Sequence, residues 1–274
     1  MQRVLLIPDR FTDYRMWGEI PDRLAHRAEV SHLDLLIQLP WSGASGAVVE
    51  LARGQRPGGW DVVVAAGRAS PFAVALAAAG LARGLVIAEP EIPFNRIPDD
   101  LEFALELPDD DVLAPYEPLV SAMHDASPEQ WRDMMIEVVR QTTRPDLPPS
   151  ELHLAIQMAT DHAADVRAEL LAFVAADAAD RDLPDDVQLA QLHARGRWLD
   201  QLATLTVPVM TVVPAPMRHY AQTVSRYAGE AEIVITDSSI QPGGARPGAR
   251  DQAAAAIERL LDRVCSRPGT GSAK

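Results

Sequence analysis

The fold prediction depends mainly on residues 60–90, WDVVVAAGRASPFAVALAAAGLARGLVIAEP. The apolar run Val62–Ala66 is bounded by turn-forming residues and predicts a strand that is buried on both faces. A tight turn, Gly67–Pro71, follows it, and an alanine-rich segment predicts a helix as far as Leu81. GLVIAEP then predicts the next strand. Because strand, helix and strand follow one another, the segment indicates a parallel sheet with helices on its faces.

The same alternation continues on both sides of this stretch. Near the N-terminus, the strand VLLIP precedes a helical segment, MWGEIPDRLAHRA, and a second strand at Glu29–Leu36. Near the C-terminus, the order is repeated by VPVMTVVP, a helix near AQTVSRYA, the strand AEIVITD and the amphipathic helix DQAAAAIERLLDRV. We therefore expect an α/β fold with a mostly parallel sheet that is flanked by helices.

The pattern changes between Phe94 and Leu205, where only helical periodicity and proline punctuation occur. Ser127–Gln130 has the order of a capping box and predicts the start of one helix, and Pro149–Glu151 predicts the start of another. We interpret this region as an all-helical lid inserted between two core strands. The predicted domains are a core at 1–93 and 206–265, a helical lid at 94–205 and a flexible tail at 266–274.

Composition limits the classes of partner. The chain has 274 residues and a formal net charge of −14, and its basic residues are scattered, so nucleic acid is not an expected partner. No apolar stretch is long enough for a membrane span, and the N-terminus lacks the pattern of a signal peptide, so we expect no membrane partner and a cytoplasmic location. The sequence is compatible with a homodimer.

Motifs for cofactors and metals do not occur in the sequence. No G-x-G-x-x-G follows a strand, and there is no Walker sequence, so we expect no nucleotide cofactor. Cys265 is the only cysteine, and His153 and His162 do not have the spacing of a helical metal pair. We expect no cofactor, no metal and a small molecule as the substrate.

The order of these segments resembles the α/β-hydrolase superfamily over nearly the whole chain. LLIPDRFTDYRMWGEIPDRLA is similar to the family's oxyanion loop and first helix, and residues 60–90 are similar to its nucleophile elbow. VPVMTVV and AEIVITD are similar to its last two strands. The resemblance implies the α/β-hydrolase fold. It also implies a serine activated by a histidine, an acid that orients the histidine, and backbone N–H groups that stabilise an oxyanion.

Each member of that catalytic set is replaced in this sequence. Ala69 stands at the nucleophile position of the elbow, and a methyl group can neither attack a carbonyl nor relay a proton. The acid is expected after VPVMTVV, where the chain has Pro214–Arg218. The histidine is expected after AEIVITD, where Ile240 fills the place. We therefore predict that ester hydrolysis through an acyl-enzyme is disfavoured.

A shifted register of the elbow is an alternative. Ser70 would then be the nucleophile, with His219 as its base and Asp237 as the acid that orients the histidine. The shift would displace Gly67 from the tight turn and leave no glycine on the far side of the serine. Chain order does not decide between the two registers, because triads are defined by their geometry.

Charged residues replace part of the oxyanion loop. Where the family often has His-Gly, this chain has Pro8-Asp9, and Arg10 takes the position whose N–H forms half of the oxyanion hole. Arg68 approaches the same edge of the sheet, where ligands bind in open α/β folds. One interpretation is a structural ion pair of Asp9 with Arg10 or Arg68. The other is catalytic: Arg10 stabilises an enolate or phenolate while Asp9 transfers a proton.

Further side chains are candidates for the wall of an apolar pocket. The lid supplies aromatic, methionine and imidazole side chains, which also suit a lid core. The residues that we predict to bind substrate are Ala69, Tyr116, Met123, Trp131, His153, Met158, His219 and Ile240.

Three functions remain open at this point. The first is a non-hydrolytic biosynthetic enzyme of the cyclase or lyase type, acting on a largely apolar, polyketide-like or aromatic small molecule by cyclisation, conjugate addition or elimination. The second is a catalytically inactive protein that binds a small ligand, and the third is a hydrolase that uses Ser70. We expect the first, because a site that orients one conformer and stabilises a delocalised anion needs no nucleophile.

Overall fold

We describe the chain from a computed structural model. The structure describes residues 1–9, 12–33, 44–93, 96–98, 100–101, 117–168, 170–171, 196–229, 231–246 and 248–266. Arg10 and Tyr116, two of the predicted site residues, lie outside the described residues.

The described part of the chain contains a six-stranded sheet in the order β2-β1-β3-β4-β5-β6. The strands are Gln2–Ile7 (β1), Ala28–His32 (β2), Val62–Ala66 (β3), Leu85–Ala88 (β4), Val209–Pro214 (β5) and Glu232–Thr236 (β6). All neighbouring strands run parallel. The predicted α/β class with a mostly parallel sheet is confirmed.

Helices connect the strands. They are Ile20–Leu24 (α1), Ala44–Gln55 (α2), Ser70–Ala78 (α3), Glu117–Ala122 (α4), Pro128–Thr142 (α5), Pro149–Asp161 (α6), Arg197–Leu202 (α7), Arg218–Tyr227 (α8) and Ala249–Ser266 (α9). The sequence did not predict α2, because Gly46 and Gly54 weaken its helical signal. Among the described residues, no helix combines the length and the apolar character needed to span a membrane.

The sheet is buried on both faces, because alternate residues of its strands point to opposite sides. On one face, Val63 and Ala65 pack with side chains of α2, α3 and α7. On the other face, Val62 and Val64 pack with side chains of α1 and α9. β3 is buried along its whole length, which explains its continuous apolar run.

The described elements between β4 and β5 are helices. The capping box predicted for α5 is confirmed: Ser127 Oγ accepts the N–H of Gln130 at 3.2 Å, and Gln130 Oε1 accepts the N–H of Ser127 at 2.8 Å. Side chains of α4 and α5 form a small core with residues that follow α6. By contrast, Trp198 and Leu199 of α7 pack with the main core beside α3, although the predicted lid extends to residue 205.

Helix α6 is tied to the main core near both of its ends. Near its start, Arg250 of α9 donates to both carboxylate oxygens of Glu151, at 2.6 and 2.9 Å. This pair lines a polar cleft of about 280 Å³. Near its end, Arg15 donates to Asp161 at 2.7 Å, and Met158 belongs to the same core cluster as Val62. These contacts hold α6 beside the carboxyl edge of the sheet.

Candidate functional site

The carboxyl ends of three neighbouring strands bring Asp9, Gly67 and Glu89 side by side. β3 lies between β1 and β4. The register pairs Ala66 with Ala88, so Gly67 lies next to Glu89, and the pairing of β1 with β3 places Asp9 level with Gly67. Ligands of open α/β sheets bind at this edge, so we take these residues as the centre of the candidate site.

The side chain of Asp9 fills the space in which a side chain at position 67 would lie. Gly67 has a φ of +52°, a left-handed conformation that glycine adopts without strain. A Cβ atom built on Gly67 would lie 2.5 Å from Cγ of Asp9 and would overlap its carboxylate oxygens. The backbone N–H of Arg68 donates to Oδ1 of Asp9 at 3.0 Å. A carboxylate from the loop after β1 therefore stands over the turn.

Backbone contacts hold Asp9 in this position. Its N–H donates to Sδ of Met16 at 3.1 Å, and its carbonyl oxygen accepts the N–H of Thr12 at 3.0 Å and the hydroxyl of Thr12 at 2.8 Å. The carboxylate also lies at the start of the helical segment that continues into α3, where the unpaired N–H groups of a helix favour negative charge.

The apex of the elbow lies at Gly67, two residues before the position that the sequence suggested. An elbow places its nucleophile on a sharp, strained turn directly after the strand, and Gly67 is the positive-φ residue that follows β3. Ala69 has a φ of −80°, is fully buried and packs in the main core. The assignment of the apex to Ala69 is wrong, because the turn requires a positive φ. Gly67 likewise offers no side chain for attack.

Ser70, the alternative nucleophile, is the first residue of α3 and is fully buried. Its hydroxyl donates to the carbonyl oxygen of Gly67 at 2.6 Å, which fastens the turn to the helix. Asp237, its suggested orienting acid, exchanges two hydrogen bonds with Gln252 of α9, at 3.0 and 2.9 Å. These contacts give both residues structural partners, and the Ser70 hydrolase stays a prediction.

Arg68 and Glu91 form an ion pair at the same edge. Nε of Arg68 donates to a carboxylate oxygen of Glu91, and both side chains are partly exposed. The catalytic role of Arg68 stays a prediction. Its backbone N–H, however, has a defined task, since it orients the carboxylate of Asp9.

Glu89 is a residue of this edge that the sequence analysis missed. It is the one non-glycine residue with a positive φ in the described chain, at +48°, and it is 6% exposed. Its Oε2 accepts the hydroxyl of Ser239 at 2.8 Å, and its Oε1 accepts the N–H of Ile240 at 2.7 Å. The signal that could have found it is an acid directly after an apolar strand, in GLVIAEP.

The surroundings of Glu89 favour its protonated form. Burial raises the pKa of the Glu89 carboxyl above its ordinary value, and the negative charge of Asp9 raises this pKa further. Hydrogen bonds from Ile240, Ser239 and Gln241 oppose the shift in pKa without cancelling it. The site therefore contains two carboxyl groups in unlike environments.

His219 and Tyr220 lie at the start of α8, beyond the carboxyl end of β5. Their ring centroids are 4.1 Å apart, and the rings are tilted by 49°. Burial lowers the pKa of His219, although a hydrogen bond with the backbone of Pro216 opposes the shift. Burial and the charge of Glu91 raise the pKa of Tyr220. Both side chains are therefore mainly uncharged near about pH 7.

The other predicted binding residues lie in different surroundings. Ile240 is 1% exposed and shares a core cluster with Met158, close to the backbone contact with Glu89. Met123 and Trp131 are buried in the small core of α4 and α5, where the indole N–H of Trp131 donates to a backbone carbonyl at 2.9 Å. His153 is exposed on α6. The substrate-binding roles of these residues stay predictions.

His162 contributes to a polar contact between the end of α6 and the loop after β1. Its Nε2 lies 2.8 Å from Oδ2 of Asp13, which also accepts hydrogen bonds from Arg15. Burial would raise the pKa of Asp13, but the hydrogen bonds from Arg15 and His162 lower it below its ordinary value. Asp13 is therefore a charged structural anchor. Within the described residues, no three His, Cys, Asp or Glu side chains cluster as metal ligands would.

Comparisons with known proteins concern the fold. No known family model and no curated protein matches the chain. An esterase from Thermogutta terrifontis is 14% identical, with a TM-score of 0.60, over 96% of this chain and 90% of that one. MenH from S. aureus is 11% identical, with a TM-score of 0.60, over 96% and 94%. A haloalkane dehalogenase loop variant from Bradyrhizobium elkanii is 16% identical, with a TM-score of 0.59, over 96% and 89%.

The similarity to these structures extends over nearly the whole chain, and it agrees with the parallel sheet that is flanked by helices. The chain therefore has the α/β-hydrolase fold.

Proposed function

We propose that the protein is a non-hydrolytic enzyme that uses Asp9 as a general base on a small, largely apolar molecule of polyketide-like or aromatic type. The reaction is a cyclisation, a conjugate addition or an elimination. The observation that carries the proposal is the carboxylate of Asp9 over Gly67, at the apex of the elbow. A positioned acid or base accelerates proton transfer by about 10²- to 10⁴-fold.

Two features argue against ester hydrolysis. Gly67 has no side chain that could attack a carbonyl carbon. The N–H of Arg68, which follows the apex and would donate to an oxyanion, already donates to Asp9. The apex therefore offers no nucleophile to a substrate carbonyl, and the N–H of Arg68 is not available to its oxygen.

The position of Asp9 suits proton abstraction. The loop backbone and the N–H of Arg68 fix the carboxylate of Asp9 before substrate binds. Little further entropy is therefore lost when the transition state forms. Apolar side chains adjoin this edge, since Met16 contacts the backbone of Asp9 and belongs to the same core cluster as Ile240. Apolar walls suit an apolar substrate.

5-Nitrobenzisoxazole, an aromatic carbon acid whose ring opens when a base removes its C–H proton, tests the proposal. We expect the wild-type protein to accelerate ring opening at about pH 7, and Asp9→Asn to lower the rate about a hundredfold. The amide keeps an acceptor for the N–H of Arg68 but is not a base. Asp262→Asn, which changes a carboxylate paired with Arg27 on the surface of α9, is the matched control and should keep the wild-type rate.

Equal rates for the wild type and Asp9→Asn would contradict the proposal. Binding of the probe without turnover by both proteins, measured by calorimetry, would identify a ligand-binding protein instead. Hydrolysis of p-nitrophenyl acetate, together with labelling of Ser70 by a serine-reactive phosphonate, would identify a hydrolase.

A further inference from the structure

We propose that His162, the residue that follows α6, is a positioning residue for Asp9: through Asp13 it fixes the loop that carries the base, so Asp9 is in place only while α6 is docked on the core. The inference rests on the proposed function of Asp9 and assigns to α6 a part in the same site.

Hydrogen bonds join Asp9 to the described residues that follow it in the loop after β1. The carbonyl oxygen of Asp9 accepts the N–H of Thr12 at 3.0 Å and its hydroxyl at 2.8 Å. Sδ of Met16 accepts the N–H of Asp9 and also lies 3.1 Å from Oγ1 of Thr12. The N–H of Met16 donates to the carbonyl oxygen of Asp13 at 3.0 Å. These contacts form one unit, so we expect a shift of Asp13 to move the backbone of Asp9.

The buried carboxylate of Asp13 connects this unit to α6. It accepts the N–H of Arg15 at 2.8 Å and hydrogen bonds from the guanidinium of the same residue. Nε2 of His162 lies 2.8 Å from Oδ2 of Asp13, although the two residues are 149 positions apart in the chain. An ionised carboxylate only accepts hydrogen bonds, so Nε2 of His162 is the donor. Arg15 is part of the loop itself, whereas His162 ties the loop to the helix.

The two ends of α6 are fastened with unlike strength. Near the start, the side chains of Arg250 and Glu151 are 8% and 15% exposed, and they are joined by two hydrogen bonds. Near the end, the side chains of Arg15 and Asp161 are 24% and 52% exposed. An exposed ion pair adds little to stability, whereas a buried pair resists separation because each charge would be left without a partner. Release of α6 therefore begins at the end that carries His162.

A small apolar contact supports the same end of α6. Met158 is the one buried residue of this helix, and it belongs to the same core cluster as Met16, whose sulfur accepts the N–H of Asp9. Because only one side chain of α6 is buried, the polar contact of His162 forms a substantial part of its hold on the loop. Met158 and His162 therefore connect α6 to the loop of Asp9 by an apolar and a polar route.

This arrangement suits a base that acts on an apolar substrate. When the end of α6 lifts, the carboxyl edge of the sheet opens and substrate enters beside Asp9. When α6 docks again, His162 returns to Asp13, and the loop holds the carboxylate of Asp9 in one orientation for proton transfer. His162 itself touches no reacting atom. Its loss therefore lowers the rate of the chemical step more than the affinity for substrate.

Ring opening of 5-nitrobenzisoxazole by variants of His162 tests the inference. We expect His162→Ala to lower kcat about tenfold, with KM changed by less than about twofold, because the base loses its fixed orientation. Glutamine carries an amide N–H that can donate to Asp13, so His162→Gln should recover most of the loss. A residue that only stabilises the fold would produce neither this division between kcat and KM nor this recovery. His124→Ala, which replaces an exposed histidine after α4, is the matched control and should keep the wild-type rate.

Amide hydrogen exchange, followed by mass spectrometry, tests the same contact without a substrate. In His162→Ala we expect faster exchange in residues 12–17 and at the end of α6, and unchanged exchange at the start of α6, where Arg250 holds Glu151. His162→Gln and His124→Ala should exchange as the wild type does. His162→Phe, which keeps a ring but has no donor, should behave as His162→Ala does and replaces it if the alanine variant does not fold.

An unchanged kcat in the donor-free variants His162→Ala and His162→Phe would overturn the inference, as would an equal loss of kcat in His162→Gln. If Asp9→Asn slows ring opening while the His162 variants do not, the proposed function stands without the positioning role. If the wild type opens no ring but exchange in residues 12–17 still depends on His162, the contact between α6 and the loop stands and the proposed function fails.

Discussion

Two acidic side chains, Asp61 and Glu89, are each 6% exposed, yet they lie at opposite ends of the sheet and have unlike partners. Asp61 precedes β3 at the amino edge, where its carboxylate accepts the N–H of Arg3 and a guanidinium N–H of Arg83, both at 2.9 Å. Glu89 follows β4 at the carboxyl edge, where it accepts uncharged donors beside Asp9.

The comparison shows that two equally buried acids can have opposite electrostatic surroundings. At the amino edge, a backbone N–H and a guanidinium hydrogen-bond the carboxylate of Asp61, so the acid stabilises the fold. At the carboxyl edge, uncharged donors orient the carboxylate of Glu89, and the negative charge of Asp9 raises the pKa of Glu89. Burial alone therefore does not indicate the role of an acid, whereas the charges of the groups that contact its carboxylate do.

The largest expected effects come from glycines at the two edges. Gly59 and Gly67 have φ values of +64° and +52°. A Cβ atom at position 59 would lie 2.8 Å from backbone atoms of Leu81, whereas at position 67 it would meet the side chain of Asp9. We expect Gly59→Ala to lower the free energy of unfolding by about 3 kcal/mol and Gly67→Ala by about 2 kcal/mol, measured by urea denaturation.

A second substitution distinguishes these two glycines. Asp9→Gly should recover part of the loss in Gly67→Ala, because it removes the obstructing carboxylate, and it should recover none of the loss in Gly59→Ala. If Asp9→Gly gave no relief at Gly67, the carboxylate would not lie over the turn.

A smaller effect is expected when each acid is replaced by its amide. Asp61→Asn should lower the free energy of unfolding by about 1.5 kcal/mol, because it weakens hydrogen bonds to a charged group. The arginine side chains are partly exposed, so the charges themselves add little. Glu89→Gln should cause a smaller loss, because burial and the charge of Asp9 already disfavour the ionised form of Glu89, and the amide keeps an acceptor for the N–H of Ile240. A greater loss in Glu89→Gln than in Asp61→Asn would reverse the comparison.

The smallest effect is the pH dependence of that difference. The pKa of Glu89 is higher in the folded than in the unfolded state, so its contribution to stability is full below the ordinary pKa of glutamate, about 4.3, and is lost as pH rises through the folded pKa. The amide of the Glu89→Gln variant does not titrate. The free energy of unfolding of this variant, relative to the wild type, should therefore increase as pH rises above about 4.3. Urea denaturation at a series of pH values measures this difference. A constant difference would mean that burial does not raise the pKa.

The sequence predicted the strand and the turn that carry the site better than it predicted the residues at the site. The bounds of β3 were predicted correctly, because an apolar run between a tryptophan-aspartate pair and a glycine has few alternatives. Position 67 was recognised as a tight turn, but the apex was assigned to Ala69 because the spacing was judged from side-chain chemistry and not from φ. Glu89 was missed because an acid after a strand is common, and only its burial and its neighbours distinguish it.

The sequence by itself determined the order of the strands along the chain and the parallel sheet, because these depend on local periodicity and on the helical segments between strands. Only the tertiary structure decided that Asp9 lies over Gly67 and that Glu89 is buried beside it. Those positions depend on the register of three strands that are far apart in the chain. A one-residue change in that register would leave each segment intact and would move the two acids apart.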